Sequence, residues 1–379
     1  MLSPFIVNDK NLFLERFPPA QVTRSLQAWD ATDEYLLNQC TSLLEQSEAP
    51  LRIAIFNDSF GAIACSLMEH ELFVISDSFV SHQGVKHNLM QNHLDEQNVK
   101  LLSSVDPLPE AVDIVLYKIP KSKSLLAKQL SEIGQAYDES IKFIAGAKAK
   151  EIHSSTLKVF EKYLGTTKTS LAVKKSRLVF CENDLANTQS FSGTKSWPLE
   201  NTTFEISNLA NVFAREQLDI GARLFLEHLP DVAQKQVIDL GCGNGVLGLS
   251  LLANNSDCQL IFRDESYMAV ASAKQNIDNN LPELVNNAQF SCGDCLTDID
   301  SHSVDTIVCN PPFHQQQAVT DHIAWQMFKD SFRVLKRGGE LRIVGNRQLG
   351  YHIKLKRLFG NSTTIASNKK FVILSAVKK

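Results

Sequence analysis

Asn310, Pro311, Pro312 and Phe313 close the apolar run DTIVCN, and their types imply chemistry more directly than any other stretch of the chain. The side-chain carbonyl of Asn310 and the backbone carbonyl of Pro311 can each accept one hydrogen of an amino group, and Phe313 can stack on a ring beside it. Proline donates no backbone hydrogen bond, fixes φ and biases the preceding residue away from helix, so the strand stops here in a stiff, extended lip. His314, the next residue, reads as a polar loop residue rather than a general base. Four such letters would also end a strand with no further role, so their companions decide the matter.

Those companions stand at the ends of other apolar runs. Asp239, Gly241, Gly243 and Asn244 lie in DLGCGNG, a glycine-rich turn behind QVID and ahead of the helically spaced VLGLSLLAN. Glycines there let a ligand approach the backbone, and the following helix offers free N–H groups. Asp264 and Glu265 end a second strand, CQLIFRD, where a carboxylate can accept from two ribose hydroxyls. Asp294 ends a third strand, QFSCGD, where it can accept from an adenine amine. Each acid taken singly reads equally well as a helix N-cap or a solvated turn. A dinucleotide fingerprint requires glycine at position 246, where Val246 stands, which disfavours a nicotinamide oxidoreductase.

To hold these residues together, strands must alternate with helices. YMAVASAKQNIDNN predicts a second helix, VDTIVCN a fourth strand, and SFRVLKRGGELRIVGN a helix stopping at the paired glycines before a fifth strand. The fold class is therefore α/β with a doubly wound, mostly parallel sheet, which binds ligands at the carboxyl ends of its strands.

The chain repeats this unit. GAIACSL from Gly61 aligns on GVLGLSL from Gly245, and VISDSFVSHQGVKHNLMQN from Val74 on FRDESYMAVASAKQNIDNN from Phe262. DIVLYKIPK from Asp113 aligns on DTIVCNPPF from Asp305, and GTTKTSLAVKK from Gly165 on GNSTTIASNKK from Gly360. Two copies of one domain follow, residues 1–190 and 191–379, joined through the polar stretch ENDLANTQSFSGTKSW.

Composition bounds the setting. At 379 residues and 44% hydrophobic, the chain can build two cores. Scattered cysteines, no secretory pattern and no transmembrane-length apolar run predict a cytoplasmic protein without a membrane partner. Cys292 and Cys295 have CxxC spacing but no second pair, so they read as incidental thiols and no metal is expected. The net charge of −4 hides an uneven distribution. Residues 1–115 hold 6 Lys and Arg against 16 Asp and Glu, residues 116–180 hold 13 against 5, and Arg333 to Lys379 hold 12 against 1. Two basic segments in an acidic chain predict a polyanion partner.

Taken in order, DLGCGNG, RDES, CGD and NPPF resemble the Rossmann-like S-adenosylmethionine-dependent methyltransferases that act on planar nitrogens. The phrases NVFAREQLDIGARLFLEHLP, NPPFHQQ and GGELRIVGNRQLGY, with the tandem layout, resemble the ribosomal RNA guanine-N2 methyltransferases. AWDATDEYLL, GAKAKEIHSSTLKVFEKYLG and HIKLKRLFGNSTTIASNKKFVILSAVKK bring the chain nearest to those acting on the large subunit. That resemblance implies S-adenosyl-L-methionine as cofactor, catalysis in the second domain only, and methylation of N2 of one guanine in 23S rRNA. It also implies that the segment ahead of the glycine turn, with Phe213, Arg215, Asp219 and Gly221, helps enclose the cofactor. The expected substrate is protein-depleted RNA and the expected state a monomer.

The first copy departs from the pattern. Asn57, Asp58 and Ser59 replace Gly241, Cys242 and Gly243, and KIPK replaces NPPF, putting Lys118 where Asn310 stands and Lys121 where Phe313 stands. Lysine has donors only, so this copy is expected to be catalytically dead, with Lys118, Lys121, Lys148, Lys150, Lys174 and Lys175 free to contact phosphate. Adenine N6 or a protein glutamine amide would suit the same lip, and an RNA-binding assembly factor with a vestigial cofactor fold is the non-enzymatic alternative.

Overall fold

A computed structural model describes residues 4–19, 27–184, 186, 188–312 and 318–379, the side chains of residues 318–321 excepted. The chain forms two compact units, Met1–Gly193 and Thr194–Lys379.

Unit one opens with the antiparallel hairpin of β1 (Phe5–Val7) and β2 (Lys10–Leu12), followed by α1 (Ala31–Leu44). Its main sheet comprises β3 (Arg52–Phe56), β4 (Glu71–Ser76), β5 (Val99–Ser103), β6 (Ile114–Lys118), β7 (Lys142–Lys148), β8 (Thr167–Thr169) and β9 (Ser176–Cys181). The helices α2 (Ala62–Ser66), α3 (Phe79–Gln91), α4 (Lys123–Ala136) and α5 (Ser154–Tyr163) lie between these strands in sequence.

Unit two repeats the plan with the hairpin β10 (Lys195–Pro198) and β11 (Glu205–Asn208), then α6 (Ile220–Leu226). Its main sheet comprises β12 (Gln236–Leu240), β13 (Gln259–Asp264), β14 (Ala288–Cys292), β15 (Val304–Cys309), β16 (Leu335–Asn346), β17 (Thr363–Ser367) and β18 (Phe371–Val377). Its helices are α7 (Val246–Asn254), α8 (Tyr267–Asn280), α9 (Ala318–Val334) and α10 (Tyr351–Phe359).

The two sheets have one topology. Strand order is β5-β4-β3-β6-β7-β9-β8 in unit one and β14-β13-β12-β15-β16-β18-β17 in unit two. In each, the first five are parallel, the sixth runs antiparallel to them, and the seventh pairs antiparallel with the sixth. Registers match as the sequence alignment requires: Ile53 pairs Ile114 in one unit where Val237 pairs Thr306 in the other. Adjacent residues Val237 and Ile238 belong to different apolar clusters, since successive side chains of a strand face opposite sides and both faces here are covered.

A repeated pair of asparagines ties the hairpin of unit two, and the segment just after the hairpin of unit one, to the helix after the second parallel strand. Asn276 Nδ2 donates to the carbonyls of Ser207 and Asn244, its Oδ1 accepts from Ser207 N, and Asn280 does the same for Glu205. Asn88 and Asn92 repeat this with Glu15, Phe60 and Phe13. An amide that satisfies both a donor and an acceptor of the same distant strand fixes its register as a backbone partner would.

One expectation is corrected. The helix before β16 ends at Val334, and the strand itself runs through the paired glycines from Leu335. The glycines absorb an irregularity in the pairing with β15 between Val304 and Thr306 rather than capping a helix. Gly338 has φ of 79°, and a Cβ on Gly339 would stand 3.0 Å from the Asp305 carbonyl, so neither position suits a side chain. No helix among the described residues is long and apolar enough to cross a membrane.

Candidate cofactor and acceptor site

The strand order of unit two reverses between the parallel neighbours β12 and β15, and the residues singled out from the sequence gather at the carboxyl ends there. Leu240 and Cys309 are register partners, so Gly241 and Asn310 leave the sheet side by side. A Cβ on Gly241 would lie 3.9 Å from the Asn310 backbone oxygen and 3.1 Å from Met327 Cε, with φ at 70°. By contrast, a Cβ on Gly243 would meet nothing within 4 Å, leaving open space above the turn.

The loop is held from beneath. Gly241 N and Cys242 N both donate to the Arg263 carbonyl, at 2.7 and 3.1 Å. Asp264 Oδ2 accepts from Gly243 N at 2.9 Å and its Oδ1 from Ser266 N at 3.0 Å, so this carboxylate shapes the turn. Its neighbour Glu265 is solvent-exposed at the same strand end. The sequence left these two acids as alternatives, and the structure gives them different surroundings.

The Asn244 side chain supports the turn. It is buried, donating to Asn208 Oδ1 at 2.9 Å and accepting from Val246 N at 3.2 Å. Gly248 replaces the glycine missing at position 246. Its N–H donates to Asp239 Oδ2 at 2.9 Å, and a Cβ there would lie 2.3 Å from Phe262 Cε1.

Two buried oxygens at this end have no hydrogen-bond partner among the described residues: Asp239 Oδ1 and Asn310 Oδ1. Leaving such an acceptor unsatisfied costs about 1–3 kcal/mol, which a ligand donor would recover. Burial raises the Asp239 pKa to about 8, with Asp264 adding to the rise and the Gly248 N–H opposing it. This acid therefore binds a proton more tightly folded than unfolded, and its stabilising contribution is lost as pH rises through about 8. A cationic ligand at Oδ1 favours the ionised form. Its affinity should climb between about pH 6 and 8 and then level off, with proton release at pH 7 measurable by titration calorimetry in buffers of different ionisation enthalpy. Asp239→Asn should abolish both effects.

Asp294 is buried, and its carboxyl is pushed above the usual range by burial, against donation from Gln326 Nε2 at 3.0 Å. Arg263 runs beneath it, bonded to the Cys295 carbonyl, Ser291 Oγ and Asp298. Gly293 makes room for that guanidinium, since a Cβ there would lie 1.6 Å from it. Gln326 and Met327 were missed in the sequence because they sit inside a helix, with no local pattern to mark them.

Of the segment before the turn, Phe213 is 58% exposed and Arg215 bonds Glu216 at 2.7 Å. Asp219 caps α6 through Ala222 N at 2.9 Å, and Gly221 is buried against Phe371. Those two act locally as a helix start. Pro311 is buried and Pro312 half-buried, while Phe313 lies outside the described residues.

Unit one fills the equivalent end with its own side chains. Asn57 adopts the left-handed conformation of its counterpart Gly241, with φ of 62°. Asp58 is buried and its carboxylate accepts from four successive N–H groups, those of Gly61, Ala62, Ile63 and Ala64, at 3.0–3.1 Å. Lys118 turns inward, its Nζ 2.5 Å from Asp33 Oδ1. Burial opposes its charge, but Asp33, Asp58 and Asp30 outweigh that and raise its pKa. Lys121, Lys148, Lys150, Lys174 and Lys175 are exposed, although Lys174 pairs with Glu34 at 2.5 Å. Among the described residues no His, Cys, Asp and Glu cluster could hold a metal ion, and all eight cysteines are free thiols.

A doubly wound sheet with a glycine turn, acids on successive strand ends and an Asn-Pro-Pro lip defines an S-adenosylmethionine-dependent methyltransferase. Residues 203–375 match the methyltransferase small domain and residues 3–185 the RLMG N-terminal domain. The chain belongs to the ribosomal RNA large subunit methyltransferase G family. It is 58% identical to the Colwellia psychrerythraea member, over 100% of both chains, and 50% identical to that of Klebsiella pneumoniae subsp. pneumoniae, over 98% of this chain and 97% of the relative. A T. thermophilus 16S rRNA N2 methyltransferase, RsmC, solved with AdoMet and guanosine, shares the fold across 100% of this chain and 98% of its own, at a TM-score of 0.74 and 20% identity. The enzyme's cofactor is S-adenosyl-L-methionine.

Proposed function

We propose that this enzyme methylates the exocyclic N2 amine of one guanine in 23S rRNA, and that unit two, Thr194–Lys379, performs the reaction. The observation that carries the reading is Asn310 Oδ1, buried and without a partner among the described residues, beside the open glycine turn. Asn310 Oδ1 and the Pro311 carbonyl accept the two amine hydrogens, and Phe313 stacks on the base. An aromatic amine is a poor nucleophile because its lone pair is delocalised, and acceptors fixed by proline favour the rehybridised nitrogen. The cofactor supplies an electrophilic methyl group on a sulfonium. Asp239 Oδ1 accepts from its ammonium, Glu265 takes the ribose hydroxyls, Asp294 with Gln326 faces the adenine amine, and Gly241 and Gly243 leave it room. Phe213 and Arg215 border its entrance.

Unit one, Met1–Gly193, serves RNA binding through Lys121, Lys148, Lys150 and Lys175. N2 lies on the minor-groove side of a paired guanine, so the base is flipped or already unpaired, and protein-depleted RNA best exposes it. The enzyme acts as a cytoplasmic monomer. Single-turnover assays on a 23S transcript with guanine or inosine at the target test the reading. Inosine lacks the amine and should be inert; its methylation would transfer the assignment to another position.

A further inference from the structure

We propose that the turn between β17 and β18, with Arg347, is the phosphate-binding edge of the catalytic unit and seats the RNA backbone next to the target base. This rests on the RNA reading above.

The turn is built to present charge. Asn368 Oδ1 accepts from Lys370 N and Phe371 N at 2.9 and 2.7 Å, and Asn368 N donates to the Phe371 carbonyl at 2.9 Å. These bonds close a tight turn with Lys369 and Lys370 at its exposed tip. Arg347 N donates to the Lys370 carbonyl at 3.0 Å and its guanidinium to the Asn368 carbonyl at 3.3 Å, which places a third cation against the turn.

The sheet register then places the turn. Cys309 pairs Ile343, so Asn310 emerges opposite Val344, and Val344 pairs Ile373. Asn310 and β18 are thus two strand spacings apart, roughly 10 Å, at the carboxyl end of the parallel strands. Phe371, the residue after the turn, packs on Gly221 in the segment that precedes the cofactor loop. The basic edge therefore borders the acceptor site, within reach of nucleotides flanking the base.

The comparison with unit one isolates what is special. Its equivalent turn carries Lys174 and Lys175, with Ala149 N donating to the Lys175 carbonyl as Arg347 N does to that of Lys370. There Lys174 is paired with Glu34, whereas among the described residues Arg347, Lys369 and Lys370 face no carboxylate. Lys370 instead lies over the Phe371 ring at 5.2 Å. Cations that face no carboxylate among the described residues, in a segment with 12 basic residues against 1 acid, attract a polyanion most strongly.

The test is filter binding of a 23S fragment across a salt series, with steady-state methylation alongside, for Arg347→Ala/Lys369→Ala/Lys370→Ala. The salt slope should fall by about 0.7–0.9 for each phosphate no longer neutralised, the RNA KM should rise at least tenfold, and kcat at saturating RNA and cofactor affinity should hold. Lys369→Ala/Lys370→Ala, which leaves the Arg347 bonds intact, should give the same pattern more weakly. Lys235→Ser/Lys274→Ser, removing two charges elsewhere on the unit, should change nothing. An unchanged slope in the triple variant, or an equal loss in the Lys235/Lys274 control, overturns the proposal. If the wild-type enzyme methylates no guanine transcript, the function reading fails instead, whatever the slopes.

Discussion

Asn310→Ala should lower the single-turnover rate of methyl transfer by about a hundredfold or more while leaving cofactor affinity nearly unchanged. The Oδ1 it removes is buried without a partner among the described residues, so folding already meets its desolvation cost. That acceptor is worth most when the amine rehybridises and its N–H groups become more acidic, so its removal acts on the transition state rather than on the bound cofactor. Asn310→Asp keeps an acceptor and should retain more activity than Asn310→Ala, a rescue that a purely structural role would not give. Rapid-quench measurement at saturating RNA and cofactor checks this. Full single-turnover speed in Asn310→Ala would exclude transfer through this lip.

Lys118→Ala should destabilise unit one by about 3–5 kcal/mol at pH 7, because it strands Asp33, which is 0% exposed, without its counter-ion. Burial raises the Asp33 pKa to about 6 even with Lys118 opposing, so the group's favourable contribution is lost as pH rises through about 6. Part of the loss in Lys118→Ala should accordingly return at pH 5, where Asp33 takes up a proton. Lys118→Met with Asp33→Leu, which removes both charges at similar volume, should recover most of the stability. Urea denaturation followed by near-UV circular dichroism at pH 5 and 7 measures all three. A loss that ignores pH would show that packing of the lysine stem, not the ion pair, matters at this position.

Much of the molecule is legible in its residues for a local reason. The turn DLGCGNG, the acids two strands along and the lip NPP all sit where a strand must end, and β-branched runs mark those ends without tertiary information. The duplication was equally visible, since aligned strands return the same registers in both sheets. Asn276–Asn280 and Asn88–Asn92 fall at matching places in the aligned copies, but their purpose needed segments from about 70 residues away. Motif matching could not separate Asp264 from Glu265. Adjacent residues at a strand end point in opposite directions, and only the backbone shows which one turns back to hold Gly243.

The lysines mark the boundary between the two kinds of information. Charge type and count are sequence properties, and they called for a polyanion; whether a given lysine is available depends on what folds against it. Lys118 was claimed by Asp33 across 85 residues and Lys174 by Glu34 across 140, while Lys369 and Lys370 met no carboxylate among the described residues. The sequence by itself therefore determined the fold class, the repeat and the cofactor chemistry, because each rests on strand ends and turns whose geometry is local. Tertiary structure alone decided that Asp58 fills the first copy's loop, that Asn244 and Asp264 brace the second, and which cations remain exposed. Those outcomes depend on burial and on partners distant in sequence, and desolvation makes a buried charge seek the nearest opposite one.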